Sequence, residues 1–129
     1  MHKGTTCNKV ISSVDIYPSL MELCGIPMPQ KTDGVSFVKL LTNPVNSDWA
    51  NTAYSYFNNG ITLRTTQYRL TKYFRKEEPT VELYDHIKDP YESNNIATTN
   101  PHLVQKLMKL LKKGDTGVYD KKKLEISQK

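Results

Sequence analysis

The strongest constraint on the fold is a hairpin signal in the middle of the chain, where Asn58, Asn59 and Gly60 separate two runs of β-branched and aromatic residues. Asn and Gly tolerate the positive φ angles that a two-residue hairpin turn requires. Similar runs follow downstream, and the sequence therefore predicts an antiparallel meander. Its strands are predicted near residues 52–57, 61–66, 68–74 and 81–86.

Two helical segments flank this sheet. The first is predicted to begin at Asp15 as N-cap, with Pro18 in its first turn and Gly25 as its stop. The second is predicted to begin at Asn100 and to end at Gly114. Their apolar faces consist of Ile16, Leu20, Leu23 and Cys24 in the first helix, and of Leu103, Val104, Leu107, Leu110 and Leu111 in the second. The residues alone thus indicate a small α+β domain.

The positive charge is confined to the end of the chain. The net charge is +5, yet residues 1–100 contain ten Lys and Arg and ten Asp and Glu. The excess lies in the last 29 residues, which we predict to be a mobile Lys-rich tail at 115–129. A body of balanced charge disfavours a nucleic-acid-binding protein. No apolar run reaches the roughly 18 residues of a membrane-spanning helix.

Residues that could carry chemistry are few. Cys7 and Cys24 lack metal-binding spacing, the three His residues form no catalytic pair, and no nucleophile motif occurs, so we predict neither catalytic nor metal-binding residues. Asp89, Glu92, Asn94 and Asn95 resemble a capped turn more than a calcium loop.

Two arginines in the predicted sheet, Arg64 and Arg69, could bind an anionic substrate through paired hydrogen bonds. A structural ion pair with Asp85 or Glu82 on a neighbouring strand is the favoured alternative.

Five blocks, taken together and in order, resemble the C-terminal part of a sulfatase of the alkaline-phosphatase-like superfamily. They are ISSVDIYPSLMELCGIPMP, DGVSFVKLL, AYSYF, GITLRTTQYRLTKYF and ELYDHIKDPYESNNIA, and together they lie within residues 8–112. The Arg-Thr strand is most similar to that of iduronate-2-sulfatase-like and related bacterial sulfatases. The resemblance implies the last strand and helix of an α/β catalytic domain, followed by a four-stranded antiparallel sheet with a packed C-terminal helix. Residues 10–14 would supply that strand or an extended lead-in.

In a complete enzyme of this family, the resemblance implies hydrolysis of sulfate esters, on sulfated carbohydrate, with calcium and a formylglycine made within a Cys/Ser-x-Pro/Ala-x-Arg motif. The sequence departs from the family here, because neither Cys7 nor Cys24 lies in such a motif. A missing N-terminal catalytic domain is therefore the expected partner. The family also implies a periplasmic, secreted or lysosomal location for the complete enzyme.

The resemblance further implies that the C-terminal subdomain helps to shape the substrate cleft, which makes Arg64, Asn58 and Asn59 the candidate substrate-binding residues. The predicted organisation is 1–51 for the end of the catalytic domain and a connecting loop, and 52–114 for the sheet and helix. The alternative is a free-standing interaction module derived from that subdomain.

Overall fold

The computed structural model of the protein describes residues 4–45 and 48–119. The chain divides into two compact units, Met1–Ala53 and Tyr54–Lys129. The elements of the first unit are a 3-10 turn at Ser13–Asp15, helix α1 at Ile16–Leu23 and helix α2 at Val38–Thr42. The remaining elements are strands β1 (Ala53–Phe57), β2 (Gly60–Arg64), β3 (Tyr68–Tyr73) and β4 (Val81–Asp85), and helix α3 (Pro101–Lys113).

The sheet is the predicted antiparallel meander, with strand order β1-β2-β3-β4. Asn58 and Asn59 form the turn between β1 and β2 with φ angles of 48° and 57°, which confirms the hairpin prediction. Leu63, Leu70 and Leu83 lie opposite one another across β2, β3 and β4, since Leu63 pairs with Leu70 and Leu70 with Leu83. This register places one apolar row in the centre of the sheet.

Helix α3 covers that row. Leu107 and Leu111 are buried against the sheet together with Ile61 and the three central leucines. Gly114 follows the helix where the ring of Tyr54 leaves no room for a Cβ atom. Asn100 precedes the helix as predicted, but its side chain donates hydrogen bonds to Ile96 O and Thr99 Oγ1 and does not cap the helix. The α+β fold with a packed C-terminal helix is confirmed.

Helix α1 ends as predicted. Gly25 has a φ of 66°, its N–H donates to Glu22 O at 3.1 Å, and the Ile26 N–H donates to Met21 O at 2.9 Å. These two bonds define a Schellman motif, which satisfies carbonyl groups of the last turn. Its N-terminus differs from the prediction, because the 3-10 turn precedes it and Asp15 caps no α1 amide.

Asp15 instead connects two segments of the first unit. Its carboxylate accepts hydrogen bonds from the Ser12 N–H at 2.7 Å and the Val35 N–H at 2.8 Å. One carboxylate oxygen therefore binds locally at the start of the 3-10 turn, and the other links two segments that are 20 residues apart. Gly34 lies so close to the Val14 carbonyl that a Cβ atom would overlap it. Glycine is therefore required at that crossing.

The predicted last strand of a catalytic domain does not form within the described residues. Residues 5–12 have no regular secondary structure. The Val10 N–H donates to Asn51 Oδ1 at 2.7 Å, and the Val10 carbonyl accepts from Trp49 Nε1 at 2.8 Å. Side chains thus occupy the N–H and carbonyl groups of Val10 that a strand would use for pairing. The segment is a lead-in to the first helix and not a strand.

Part of the predicted tail is attached to the second unit. Tyr56 donates from its hydroxyl to Asp115 Oδ1 at 2.7 Å and accepts from the Thr116 N–H at 2.6 Å. The Tyr119 ring packs on Tyr56 and Phe74 at centroid distances of 5.6 and 5.5 Å. These contacts attach residues 115–119 to the second unit, while mobility of the tail at 115–129 stays a prediction. Residues 120–129 lie outside the described residues.

Candidate functional site

The sheet has a polar face opposite helix α3. Strand alternation directs the leucines to one face, so the residues between them occupy the other: Thr62, Arg64, Arg69, Thr71, Tyr73, Glu82 and Tyr84. The Thr62 and Thr71 hydroxyls lie 2.9 Å apart. The Tyr73 hydroxyl donates to Glu82 Oε2 at 3.0 Å. A layer of hydroxyl and guanidinium groups therefore covers this side of the core.

Glu92 is the anionic centre of this face. Its carboxylate accepts two hydrogen bonds from Arg69, through Nε and Nη2, and a third contact from His86 Nε2. The Arg69 hydrogen bond holds the pKa of Glu92 below its usual range, although burial opposes the shift. The same hydrogen bond raises the pKa of Arg69. The charges of Arg69 and Glu92 thus compensate each other in a forked ion pair.

The expected ion pair of Arg69 exists, but its partner is Glu92 rather than Asp85 or Glu82. Asp85 lies on the opposite face, where it accepts hydrogen bonds from Gln67 Nε2 at 3.0 Å and from the Ile87 N–H at 3.0 Å. Burial raises the pKa of Asp85, but these hydrogen bonds outweigh it and the pKa is lowered. Sequence reasoning missed Glu92 because it belongs to the turn after β4, outside any strand pairing.

Arg64 differs from Arg69. It makes no hydrogen bond or ion pair with any part of residues 4–45 or 48–119, and its Nη1 atom is buried without an acceptor. The side chain as a whole is half-buried. Arg64 is directly opposite Arg69 in the β2–β3 register. Of the three predicted substrate-binding residues, it is the one with a buried donor atom that lacks an acceptor.

Asn58 and Asn59 are exposed in the β1–β2 turn. Asn59 Nδ2 donates to Phe74 O at 3.1 Å, and the Asn59 carbonyl accepts from the Phe74 N–H at 2.8 Å. Strand β2 separates this turn from Arg64, and five residues of strand span roughly 17 Å. The structure therefore does not bring the three predicted residues into one site.

The polar residues after β4 are committed to local structure. Asp89 Oδ2 accepts from the Asn94 N–H at 2.8 Å, and Asn95 Oδ1 accepts from the Leu83 N–H at 3.0 Å. This is the capped turn predicted from the sequence. Within the described parts of the chain, no three His, Cys, Asp or Glu side chains are grouped so as to hold a metal ion.

The first unit presents an apolar surface. Ile16, Leu20 and Leu23, here called the α1 outer face, are 48%, 54% and 53% exposed. Other apolar side chains of this unit are also exposed, namely Ile11, Val14, Tyr17, Ile26, Met28 and Val35. Exposure of this extent over one element is typical of a surface that another protein surface covers.

None of the described helices is long and apolar enough to cross a membrane.

A four-stranded antiparallel sheet backed by a C-terminal helix is the fold of the C-terminal subdomain of sulfatases. Residues 1–117 match the family described as N-sulphoglucosamine sulphohydrolase, C-terminal. The chain belongs to this family.

Individual relatives agree with this assignment. The chain is 30% identical to an ulvan-active sulfatase of Formosa agariphila, over 84% of this chain and 29% of that protein. It is 31% identical to arylsulfatase K of Gallus gallus, over 87% of this chain and 23% of that protein. The solved structure of the protein BT4656 in complex with its substrate D-glucosamine-2-N,6-O-disulfate superimposes with a TM-score of 0.69 and 25% identity. The match covers 83% of this chain and 24% of that one. The chain thus spans about a quarter of the length of these relatives.

Proposed function

We propose that the chain is the C-terminal part of a sulfatase that acts on sulfated carbohydrate, and that the chemical step belongs to a catalytic domain preceding it. The observation that carries the proposal is the α1 outer face, an aliphatic surface left exposed in a chain that spans about a quarter of its relatives. The relatives' names, an ulvan-active sulfatase and a complex with a disulfated glucosamine, support the substrate class.

The missing chemistry supports the same proposal. Neither Cys7 nor Cys24 is followed by the residues of the formylglycine motif. Calcium and formylglycine are expected in the complete enzyme, where they would belong to the catalytic domain. Without a nucleophile and an electrophilic group, a protein cannot stabilise the transition state of sulfate ester hydrolysis. We therefore propose that the isolated chain is inactive.

The energetics of the α1 outer face explain why a partner surface is needed. Full burial of an aliphatic side chain stabilises a protein by about 1.5–3 kcal/mol. For three half-exposed residues, the unrealised part amounts to about 2–4.5 kcal/mol, a large fraction of the roughly 5–15 kcal/mol that stabilises a domain. We propose that the catalytic domain covers this face. Arg64, Asn58 and Asn59 are carried as candidate substrate contacts of the assembled enzyme.

The first test is enzymatic. The purified chain, with and without calcium, is incubated with a chromogenic aryl sulfate and with a sulfated sugar, and no turnover is expected. Activity above that of a Cys7→Ala, Cys24→Ala double variant would contradict the proposal. The DNA upstream of the first codon gives an independent answer, since an open frame encoding a Cys/Ser-x-Pro/Ala-x-Arg motif is expected there.

The second test concerns the α1 outer face. Replacing Ile16, Leu20 and Leu23 with Gln should reduce self-association of the chain, measured by sedimentation velocity, and should barely change the unfolding of the second unit. A triple variant at the exposed positions Lys39, Lys88 and Lys109 serves as control. Unfolding of the whole chain by the first variant would favour the free-standing interaction module.

A further inference from the structure

Three residues form one row across the polar face of the sheet. Arg64 of β2 is opposite Arg69 of β3, which is opposite Tyr84 of β4. Like charges directly opposite each other destabilise a sheet unless each finds a counter-charge. Arg69 is directed toward β4, where its guanidinium lies 5.1 Å from the centroid of the Tyr84 ring and pairs with Glu92. Its neighbour Arg64 is left without this compensation.

No strand beside Arg64 supplies a carboxylate. Strand β1, on one side, has the sequence AYSYF, and strand β3, on the other, has the sequence YRLTKY. The acidic strand residue of the face, Glu82, belongs to β4, two strands away, and strand spacing places β4 roughly 10 Å from β2. Glu82 already accepts a hydrogen bond from the Tyr73 hydroxyl. The acceptor that Arg64 requires is absent from its neighbouring strands.

A guanidinium in this situation is costly to the protein. Leaving a buried donor without an acceptor costs about 1–3 kcal/mol, and more when the donor is charged. The Nη1 atom of Arg64 is such a donor, and because it is fully buried, a ligand can approach the guanidinium only at the Nε and Nη2 atoms, which are not buried to that extent. An oxyanion with two oxygens in one plane would match this Nε–Nη2 edge and neutralise the charge.

We propose that Arg64 is the receptor for an oxyanion carried by a sugar, either a sulfate group or a uronate carboxylate. The proposal rests on the proposed function for the substrate class, but its geometry depends only on the polar face. The Thr62 hydroxyl is two residues from Arg64 on the same face and shares a hydrogen bond with the Thr71 hydroxyl. The Asn58–Asn59 turn belongs to the other end of β2 and takes no part in this site.

The experiment is an NMR titration of the complete 129-residue chain at constant ionic strength, with the Arg Nε–H signals as the readout. The probes are N-acetylglucosamine 6-sulfate, glucuronate and uncharged N-acetylglucosamine. The sulfated sugar, the uronate or both should shift the Arg64 signal to saturation, and the uncharged sugar should not. The comparison of the first two identifies which oxyanion is preferred.

Variants provide the control. Arg64→Gln should weaken binding at least tenfold, and Arg64→Lys should weaken it less because it keeps a point charge. Arg75→Gln is the matched control: Arg75 also has a buried nitrogen without an acceptor, but it donates to Pro79 O and stacks on the Tyr73 ring beyond the other end of β3, so its replacement should not affect the titration. The site-resolved shift of the unmodified chain remains decisive if Arg64→Gln fails to fold.

An unshifted Arg64 signal with both charged sugars would overturn the proposal, and so would unchanged affinity in a folded Arg64→Gln variant. This result would leave the proposed function intact, because that function is tested by turnover and by the α1 outer face. Conversely, if the chain fails those tests but the Arg64 signal shifts to saturation, the oxyanion site stands and the proposed sulfatase function is rejected.

Discussion

Each of the two units is stabilised internally by a different kind of interaction. The described residues of the second unit include six buried aliphatic side chains in one cluster between sheet and helix. Among the described residues of the first unit, Leu40 is the one large aliphatic side chain that is buried. Hydrogen bonds from side chain to backbone take the place of a core there. Ser19, for example, donates to Asp15 O at 2.6 Å and accepts from the Phe37 N–H at 2.9 Å.

The comparison shows that the interactions that position chain segments differ from those that supply most of the free energy of folding. A hydrogen bond contributes only about 0.5–1.5 kcal/mol net, because folding exchanges it for bonds to water. Burial of a leucine contributes about twice as much. The first unit therefore has well-defined chain crossings but little intrinsic stability, while the second has a core of its own. This distribution suits a unit whose stabilising surface is provided by a neighbour.

The largest expected effect is a contrast between two leucines. Leu70→Ala removes a side chain with 0% exposure from the centre of the sheet and should destabilise the second unit by about 2–5 kcal/mol. Leu20→Ala, at 54% exposure, should change the stability by less than about 0.5 kcal/mol. Urea unfolding measures both. Trp49, the one Trp of the chain, reports on the first unit by fluorescence, and far-UV circular dichroism reports on the sheet. Equal losses would show that the two units share one core.

A smaller effect is expected from Glu92→Gln, which weakens the forked pair with Arg69. Loss of a hydrogen bond to a charged group costs about 1.5–3 kcal/mol, and Gln retains part of the interaction, so about 1–2 kcal/mol should be lost at pH 7. The pKa of Glu92 is lowered on folding, so the unfolded chain binds the proton more tightly. Its contribution is therefore present above the usual carboxyl pKa and is lost as the pH falls below about 5.

The pH dependence distinguishes this role from simple packing. Between about pH 5 and pH 2, the free energy of unfolding should fall less steeply in Glu92→Gln than in the unmodified protein. Glu22→Gln, at an exposed position of α1, is the control and should reproduce the unmodified slope. Parallel curves for all three proteins would refute the electrostatic role of Glu92.

The smallest expected effect concerns the end of the described chain. Tyr119→Ala removes the ring that packs on Tyr56 and Phe74, and aromatic pairs contribute about 0.5–1.5 kcal/mol. The unfolding temperature should fall by a few degrees. Tyr91→Ala, at the most exposed large side chain of the turn after β4, should leave it unchanged. Identical curves for the two variants would support the predicted mobile tail from residue 115 onward.

Local signals in the sequence predicted most of the second unit. The Asn58–Asn59 turn and the strand runs were recognisable because turn chemistry and strand alternation act over a few residues. Asp15 shows where such reasoning fails. A carboxylate before a helix is typical of an N-cap, but here its partner is the Val35 amide, 20 residues away. Nothing in the local pattern specifies a contact of that range.

The candidate site was predictable only in part. Arg64 and Arg69 were identified as anion-binding candidates because of their residue type, and the sequence alone could not tell which one the protein neutralises. That depends on Glu92, which a positive φ of 56° in the turn after β4 brings to Arg69. Arg64 has no counter-charge among the described residues, because the strand register, and not its own sequence neighbourhood, determines which groups face it.

The strand order also has a consequence for the rate of folding. Each strand pairs with the one that precedes or follows it in the chain, so few contacts of the second unit require long loops to close. Low contact order accelerates folding, and mixed α and β domains of this kind reach the native state between the rates of helical bundles and β-sandwiches. During synthesis of a long polypeptide, such a segment would complete its sheet soon after release from the ribosome, which shortens the exposure of its strand edges to other chains.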